Sequence, residues 1–197
     1  MNLAGIELVA CARRERIHGY VQLADKARCL VAGLLLRRVC GVRADCQLAY
    51  GENGKPYLKS GDMYFNVSHA GDYVALAVAN CEVGVDIEKV SAYSDAVAAR
   101  CFTPPEREWL RREGCDEAFY RLWTAKESVM KASGFGFSLP PEAFSVLPLD
   151  SSAHSIAGKP WFLDWLSFSG YIICRATDGE AGKTEVTTIT PGGLLCG

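Results

Sequence analysis

The chain has 197 residues, enough for one large domain or two small ones with a buried core. Hydrophobic residues make up 49% and charged residues 22%, with a formal net charge of −2. That balance is ordinary for a globular protein and argues against nucleic acid or an anionic membrane as a bulk partner.

Nine cysteines stand singly, with no C-x-x-C pair to suggest zinc. An odd, scattered set suits a reducing compartment. The opening "MNLAGIELVACARRERIHGY" has an apolar stretch too short for a secretory signal, and its basic cluster follows that stretch instead of preceding it. "CLVAGLLL" falls well short of a membrane span. A soluble, cytoplasmic protein is expected.

In chain order, "GIELVAC" predicts a first strand, with Arg13, Arg14 and Arg16 in a basic loop behind it. "VQLADKARCLVAGLLLRRV" has helical spacing and stops at Gly41. "YGENGKPYL" marks a tight turn at Asn53-Gly54 and Lys55-Pro56. "MYFNVSHAGDYVALAVA" predicts two strands joined at Ala70-Gly71-Asp72, and "VGVDIEKV" a third. Thr103 and Pro104 then open a helix over "TPPEREWLRRE", and "DEAFYRLWTAKESVMKAS" predicts another. After a Gly- and Pro-bearing loop and "AFSVLPL", strands are expected in "WFLDWLSFSGYIICRATDG" and "KTEVTTIT".

The order repeats. Arg28 to Gly41 and Arg121 to Gly134 are both thirteen steps, each a helix ending at glycine, and "SHAGDYVALAVA" shares residues in order with "SFSGYIICRA". The expected fold class is α+β, built of two similar halves, 1–84 and 85–197, meeting around Val85.

Two acidic stretches carry the chemistry. "GVDIE" puts Asp86 and Glu88 on one side of a strand, either a solvent face or a carboxylate pair offered to a hard cation. On the helix of residues 116–133, Lys126 lies between Leu122 and Met130, and Glu127 between Trp123 and Tyr120, so both fall on the apolar arc. A buried carboxylate needs a cation. Set against Asp86 at about 4 Å, Glu127 would meet a repulsion of about 4 kcal/mol at an effective dielectric near 20, which a divalent ion would reverse. Lys126 and Lys131 flank it and suit a diphosphate, as do the "GENGKP" turn with Lys55 and the polar end of "FNVSH", Asn66, Ser68 and His69.

"GENGKPYL", "FNVSHAGDYVALAVA", "GVDIEKV" and "LWTAKESVMKASGFGFSL", in this order, resemble the 4′-phosphopantetheinyl transferase superfamily, in its Sfp-type, surfactin-synthetase-activating branch. The resemblance extends from about Arg28 to Ala176, and it implies two similar α/β halves in a pseudo-twofold arrangement with the active site at their junction. It rests above all on G-x-D-[IV]-E paired with W-x-x-K-E-x-x-x-K some forty residues later.

The resemblance implies transfer of the phosphopantetheine arm of coenzyme A to a serine of an apo acyl or peptidyl carrier protein, with release of 3′,5′-ADP. It implies magnesium, or manganese in its place, held by Asp86, Glu127 and Glu88. It casts Glu127 as the base and Lys131 as the charge that steadies the phosphates, with Lys126 nearby. Ser68, His69 and Arg28 fall at coenzyme A phosphate positions, the last two toward the 3′-phosphate, with Arg13 and Arg16 as further candidates. Lys55 and Pro56 fall on the adenine side. In this reading, 1–84 holds the adenine and 3′-phosphate side of coenzyme A, and 85–197 holds the magnesium and the catalytic helix. Trp123 is expected to anchor the helix in the core. No membrane or nucleic-acid partner is expected, and two fused halves suit a monomer. The competing readings are a non-catalytic coenzyme A-binding scaffold and a metal-dependent diphosphate hydrolase of coenzyme A.

Overall fold

The chain opens in helix, not strand. In the computed structural model, which describes residues 3–150, 153–179 and 184–195, a 3₁₀ turn at Ile6–Leu8 leads into helix α1, Cys11–Gly19. The strand expected over "GIELVAC" does not form, and Arg13, Arg14 and Arg16 lie on α1 and not in a loop. The run "ARRER" is built of good helix formers, and one apolar residue in the next turn, Ile17, is buried and docks it.

Helix α2, Leu23–Cys40, has 18 residues and ends at Gly41, whose φ of 69° is the left-handed cap a side chain would resist. Strands β1, Leu48–Tyr50, and β2, Pro56–Leu58, pair across the "GENGKP" turn. Strands β3, Tyr64–Ala70, and β4, Tyr73–Ala79, form a hairpin that turns at Gly71-Asp72, as the sequence predicts.

Strand β5, Val83–Lys89, starts the third sheet, which has four strands in the order β5-β8-β7-β6. Between them run α3, Asp95–Cys101, which the sequence reading missed, α4, Pro104–Glu113, and α5, Asp116–Ser133. Thr103 caps α4 with its hydroxyl and Glu106 answers back, a full capping box. Like α2, α5 has 18 residues and ends at a left-handed glycine, Gly134. The remaining strands are β6, His154–Ile156, β7, Lys159–Phe168, and β8, Tyr171–Thr177, with β7 and β8 joined by a turn at Ser169-Gly170.

"KTEVTTIT" is not a strand. Lys183 lies outside the described residues, and 184–190 run without a pairing partner, tied to the sheet by Thr184 Oγ1 donating to Asp164. The short helix α6, Pro191–Leu195, follows.

The two-half plan holds: α2 backs the β3–β4 hairpin as α5 backs β5 and β8. The second half has the larger core, around Phe102, Leu122, Val129, Trp161 and Leu163. The first half has two smaller ones, and one of them takes Leu194 of α6 to complete it.

Candidate active site

Strand β5 is buried on both faces, so its carboxylate at Asp86 is not a solvent-face residue: Asp86 is 3% exposed. The strand lies hard against α5. A Cβ at Gly84 would sit 2.0 Å from the Ser128 carbonyl oxygen and 2.5 Å from the Ala132 nitrogen, so glycine is what allows this approach. That contact brings the acids of the strand under the charged side of the helix.

Strand β3 supplies the other wall. Asn66 and Ser68 stand two apart and share a face, and both are buried. Asn66 Oδ1 accepts from the Val85 N–H at 2.9 Å, satisfying a donor on the free edge of β5. Ser68 donates to Asp86 Oδ1 at 2.9 Å, and Lys131 Nζ reaches the same oxygen at 2.6 Å and Ser68 Oγ at 3.1 Å. Asp86 Oδ2 is buried and has no hydrogen-bond partner. A buried carboxylate oxygen with nothing to accept from is costly unless something else binds it.

Two more carboxyls complete the charge pattern. Burial raises the pKa of Asp86, against the opposing pull of Lys131 and Ser68. Burial also raises Glu88, the Asp86 charge adds to it, and a hydrogen bond from Trp123 works against it. Glu127 is raised by burial and by Asp86, with Lys131 opposing. Three acids from β5 and α5 thus feel one another's charge around one lysine.

Among the described residues, no three His, Cys, Asp or Glu side chains are close enough to enclose a metal ion. The acids form an open group, to which Asp86 brings a buried oxygen without a hydrogen-bond partner. Magnesium suits such a cluster better than a closed cage, since it keeps waters and shares substrate phosphates with one or two carboxylates.

The "GENGKP" turn crosses from the first half onto the end of α5. Asn53 Nδ2 donates to the Gly134 carbonyl at 3.0 Å, and Lys55 Nζ donates to the Ala132 carbonyl at 2.6 Å while pairing with Glu82 at 2.5 Å. Beside this crossing opens a cavity of about 500 Å³, lined by Lys55, Pro56, Tyr57, Tyr64, Gly134 and Phe135 among others.

A family pattern described as the 4′-phosphopantetheinyl transferase superfamily matches residues 82–181, and a second, described as the 4′-phosphopantetheinyl transferase N-terminal region, matches residues 3–81. The chain belongs to the 4′-phosphopantetheinyl transferase superfamily. It is a transferase of the Sfp-type branch. It is 34% identical over 157 residues to a 4′-phosphopantetheinyl transferase of Bacillus subtilis, covering 75% of this chain and 70% of that protein. It is 33% identical over 150 residues to the 4′-phosphopantetheinyl transferase Sfp of Bacillus subtilis strain 168, covering 72% and 67%. It is also 33% identical over 139 residues to the 4′-phosphopantetheinyl transferase AcpT of Salmonella typhimurium, covering 66% and 68%.

Not every residue expected at the transferase site reaches it. Lys126 does not: it is 0% exposed, its Nζ pairs with Glu106 at 2.8 Å and donates to the Pro141 and Phe144 carbonyls at 2.7 and 2.5 Å, and the Phe144 ring lies 4.6 Å away. One helical step, 100°, separates it from Glu127, and that step turns Lys126 into the second half's core. The expectation that Lys126 flanks Glu127 to meet a diphosphate is thereby corrected.

His69 points away from Ser68, as alternation along a strand requires, and is exposed. Arg28 Nη1 donates to the Gly71 carbonyl at 2.9 Å, at the same end of the hairpin, and Arg28 also pairs with Asp25. Trp123 packs against the core as expected and also reaches Glu88. Sequence reasoning missed Glu106 as the partner of Lys126 and Glu82 as the partner of Lys55. The capping-box spacing of Thr103 and Glu106 was the one signal available for either.

Proposed function

We propose that the protein transfers the 4′-phosphopantetheine arm of coenzyme A to a serine hydroxyl of an apo acyl or peptidyl carrier protein, releasing 3′,5′-ADP. The observation that carries this reading is the orphaned oxygen of Asp86, buried next to two further carboxyls and Lys131. Such a group of charges is expensive for a fold and is suited to a cation and a diphosphate.

Asp86 and Glu127, with Glu88 beside them, would hold the magnesium, which as a Lewis acid would neutralise the diphosphate. Manganese has the same hard-oxygen preference and would substitute. Lys131 spends two of its three N–H groups on Ser68 and Asp86 and keeps one for a phosphate oxygen. Pro56 and the cavity beside it would take the adenine. Lys55 acts there by holding the turn, while Arg28 and His69 at the hairpin end would face the 3′-phosphate, with Arg13 and Arg16 of α1 as further candidates.

Glu127, raised above an ordinary carboxyl, is suited to take the serine proton. The serine oxygen then bonds to the β-phosphorus as the bond from that phosphorus to the bridging oxygen breaks, and the oxygen leaves with 3′,5′-ADP. Lys131 offsets charge on the departing phosphate. In this assignment residues 1–84 serve the adenine and 3′-phosphate and residues 85–197 the metal and proton chemistry. The protein works as a monomer in the cytoplasm. No helix among the described residues is long and apolar enough to cross a membrane.

The test is to incubate the protein with coenzyme A, magnesium and a panel of apo-carriers and to read intact masses. One or more carriers should gain a phosphopantetheine. Coenzyme A cleaved to free 4′-phosphopantetheine with no carrier modified would instead mean a hydrolase. Binding without either product would mean a scaffold.

A further inference from the structure

Among the described residues no hydrogen bond fixes the Glu127 carboxylate, so its direction is inherited from α5. The buried apolar residues of that helix, Leu122, Ala125, Val129 and Met130, hold it by a force without direction. Directional contacts lie one residue earlier. Lys126 spends all three N–H groups inside the protein, on Glu106 Oε2 and on the carbonyls of Pro141 and Phe144. Glu106, also 0% exposed, accepts at Oε2 from the Thr103 N–H at 2.8 Å and hydroxyl at 2.9 Å, and at Oε1 from the Val146 N–H at 2.9 Å.

This pair therefore binds two separate pieces of chain to α5 at one point: the start of α4, through Thr103, and the segment 141–146, through Pro141, Phe144 and Val146. Stability alone does not account for it. Replacing a buried ion pair by neutral groups of similar volume is often neutral or stabilising, whereas removing one partner is costly.

We propose that Glu106 and Lys126 are positioning residues for the transfer reaction: they set the axial rotation of α5, and with it the angle at which Glu127 and Lys131 meet Asp86. The kinetic part of this inference rests on the transfer reaction proposed above. A spectroscopic readout makes it testable without that reaction.

The experiment compares the parent with the double variant Glu106→Gln/Lys126→Met, which removes both charges at nearly constant volume, and with the milder Thr103→Val, which deletes the hydroxyl's hydrogen bond to Glu106 Oε2 and the cap it gives the Glu106 N–H. Thermal midpoint, coenzyme A affinity by calorimetry, kcat, and the ¹⁹F resonance of 5-fluorotryptophan at Trp123, assigned through Trp123→Phe, are measured for each. The double variant is expected to stay folded and to bind coenzyme A within about threefold of the parent. It should lose kcat by about a hundredfold, as a small misplacement of reacting groups does. Its Trp123 resonance should move. Thr103→Val should show the same pattern more weakly, with kcat down about threefold to tenfold.

A folded double variant with parental kcat and an unmoved Trp123 resonance would overturn the proposal. If the double variant does not fold, Thr103→Val decides on the same two readings. If the parent modifies no carrier, the transfer reading fails, and the Trp123 resonance alone decides whether the pair sets the helix.

Discussion

Burial pushes the Glu127 carboxyl above the ordinary carboxylate range, with the Asp86 charge adding to it and Lys131 opposing, and a carboxyl so raised is a better proton acceptor than an exposed one. Glu127→Gln is therefore expected to keep coenzyme A binding and to lose turnover by orders of magnitude. Asp86→Ala should lower the rate and the magnesium dependence together. Transfer at the parental rate by either variant, followed by mass spectrometry, would remove these residues from their roles.

His154 offers a prediction of a different kind. It is buried, its Nε2 has no hydrogen-bond partner, and burial holds its pKa below 6.5. Below pH 6.5 the unfolded chain takes up a proton that the folded protein refuses, so this residue's contribution falls as the pH drops through that window. Melting curves between pH 7.5 and 5.5 should show the parent losing more stability on acidification than His154→Gln. Parallel profiles would mean that His154 contributes nothing to the acid limb.

The residue scale is also where the sequence was hardest to read. Asp86, Glu88 and Glu127 are legible because each stands in a motif and each acid needs a cation. Lys126 belongs to the same motif and looks equivalent. Its fate is set by Glu106, 20 residues away in sequence, and no periodicity carries that pairing.

Among the elements, the contact that matters most is β5 against α5, and Gly84 is its gauge. Gly84→Ala must push backbone on backbone, because the nearest atoms are the Ser128 carbonyl and the Ala132 amide. Overpacking of this kind costs about 1–3 kcal/mol, or several degrees of melting temperature in a chain this long. Displacing α5 from β5 should also cost activity beyond what the stability loss explains. A variant with parental melting temperature and rate would show that the two elements can part without consequence.

Both long helices, their glycine stops and the hairpin turns were readable, since each has a local cause within a few residues. Helix α1 was not. The short apolar run "GIELVAC" suggests a strand, but it has no partner strand, and the helix-forming run behind it prevails.

At the scale of the whole molecule, polar side chains of the first half bind backbone groups of the second. Asn66 reaches Val85, Asn53 reaches Gly134, and Lys55 reaches Ala132. Lys55→Met should loosen the turn that walls the cavity. Its expected signature is a rise in the KM for coenzyme A of about tenfold with kcat nearly unchanged, read from steady-state rates at saturating carrier. Equal losses in KM and kcat would instead place Lys55 at the reacting phosphates. The two-half plan itself was legible from repeated spacings, but these links were not, because each joins a side chain to a distant backbone group.

Helix α6 adds a matter of timing. Ile189 and Leu194 pack with Val9, Ile17, Leu30 and Leu34, residues that precede them by most of the described chain. Helices α1 and α2 are therefore made with an oily seam that stays open until the segment carrying α6 has followed them. Sealing of that seam has to wait for residues translated much later.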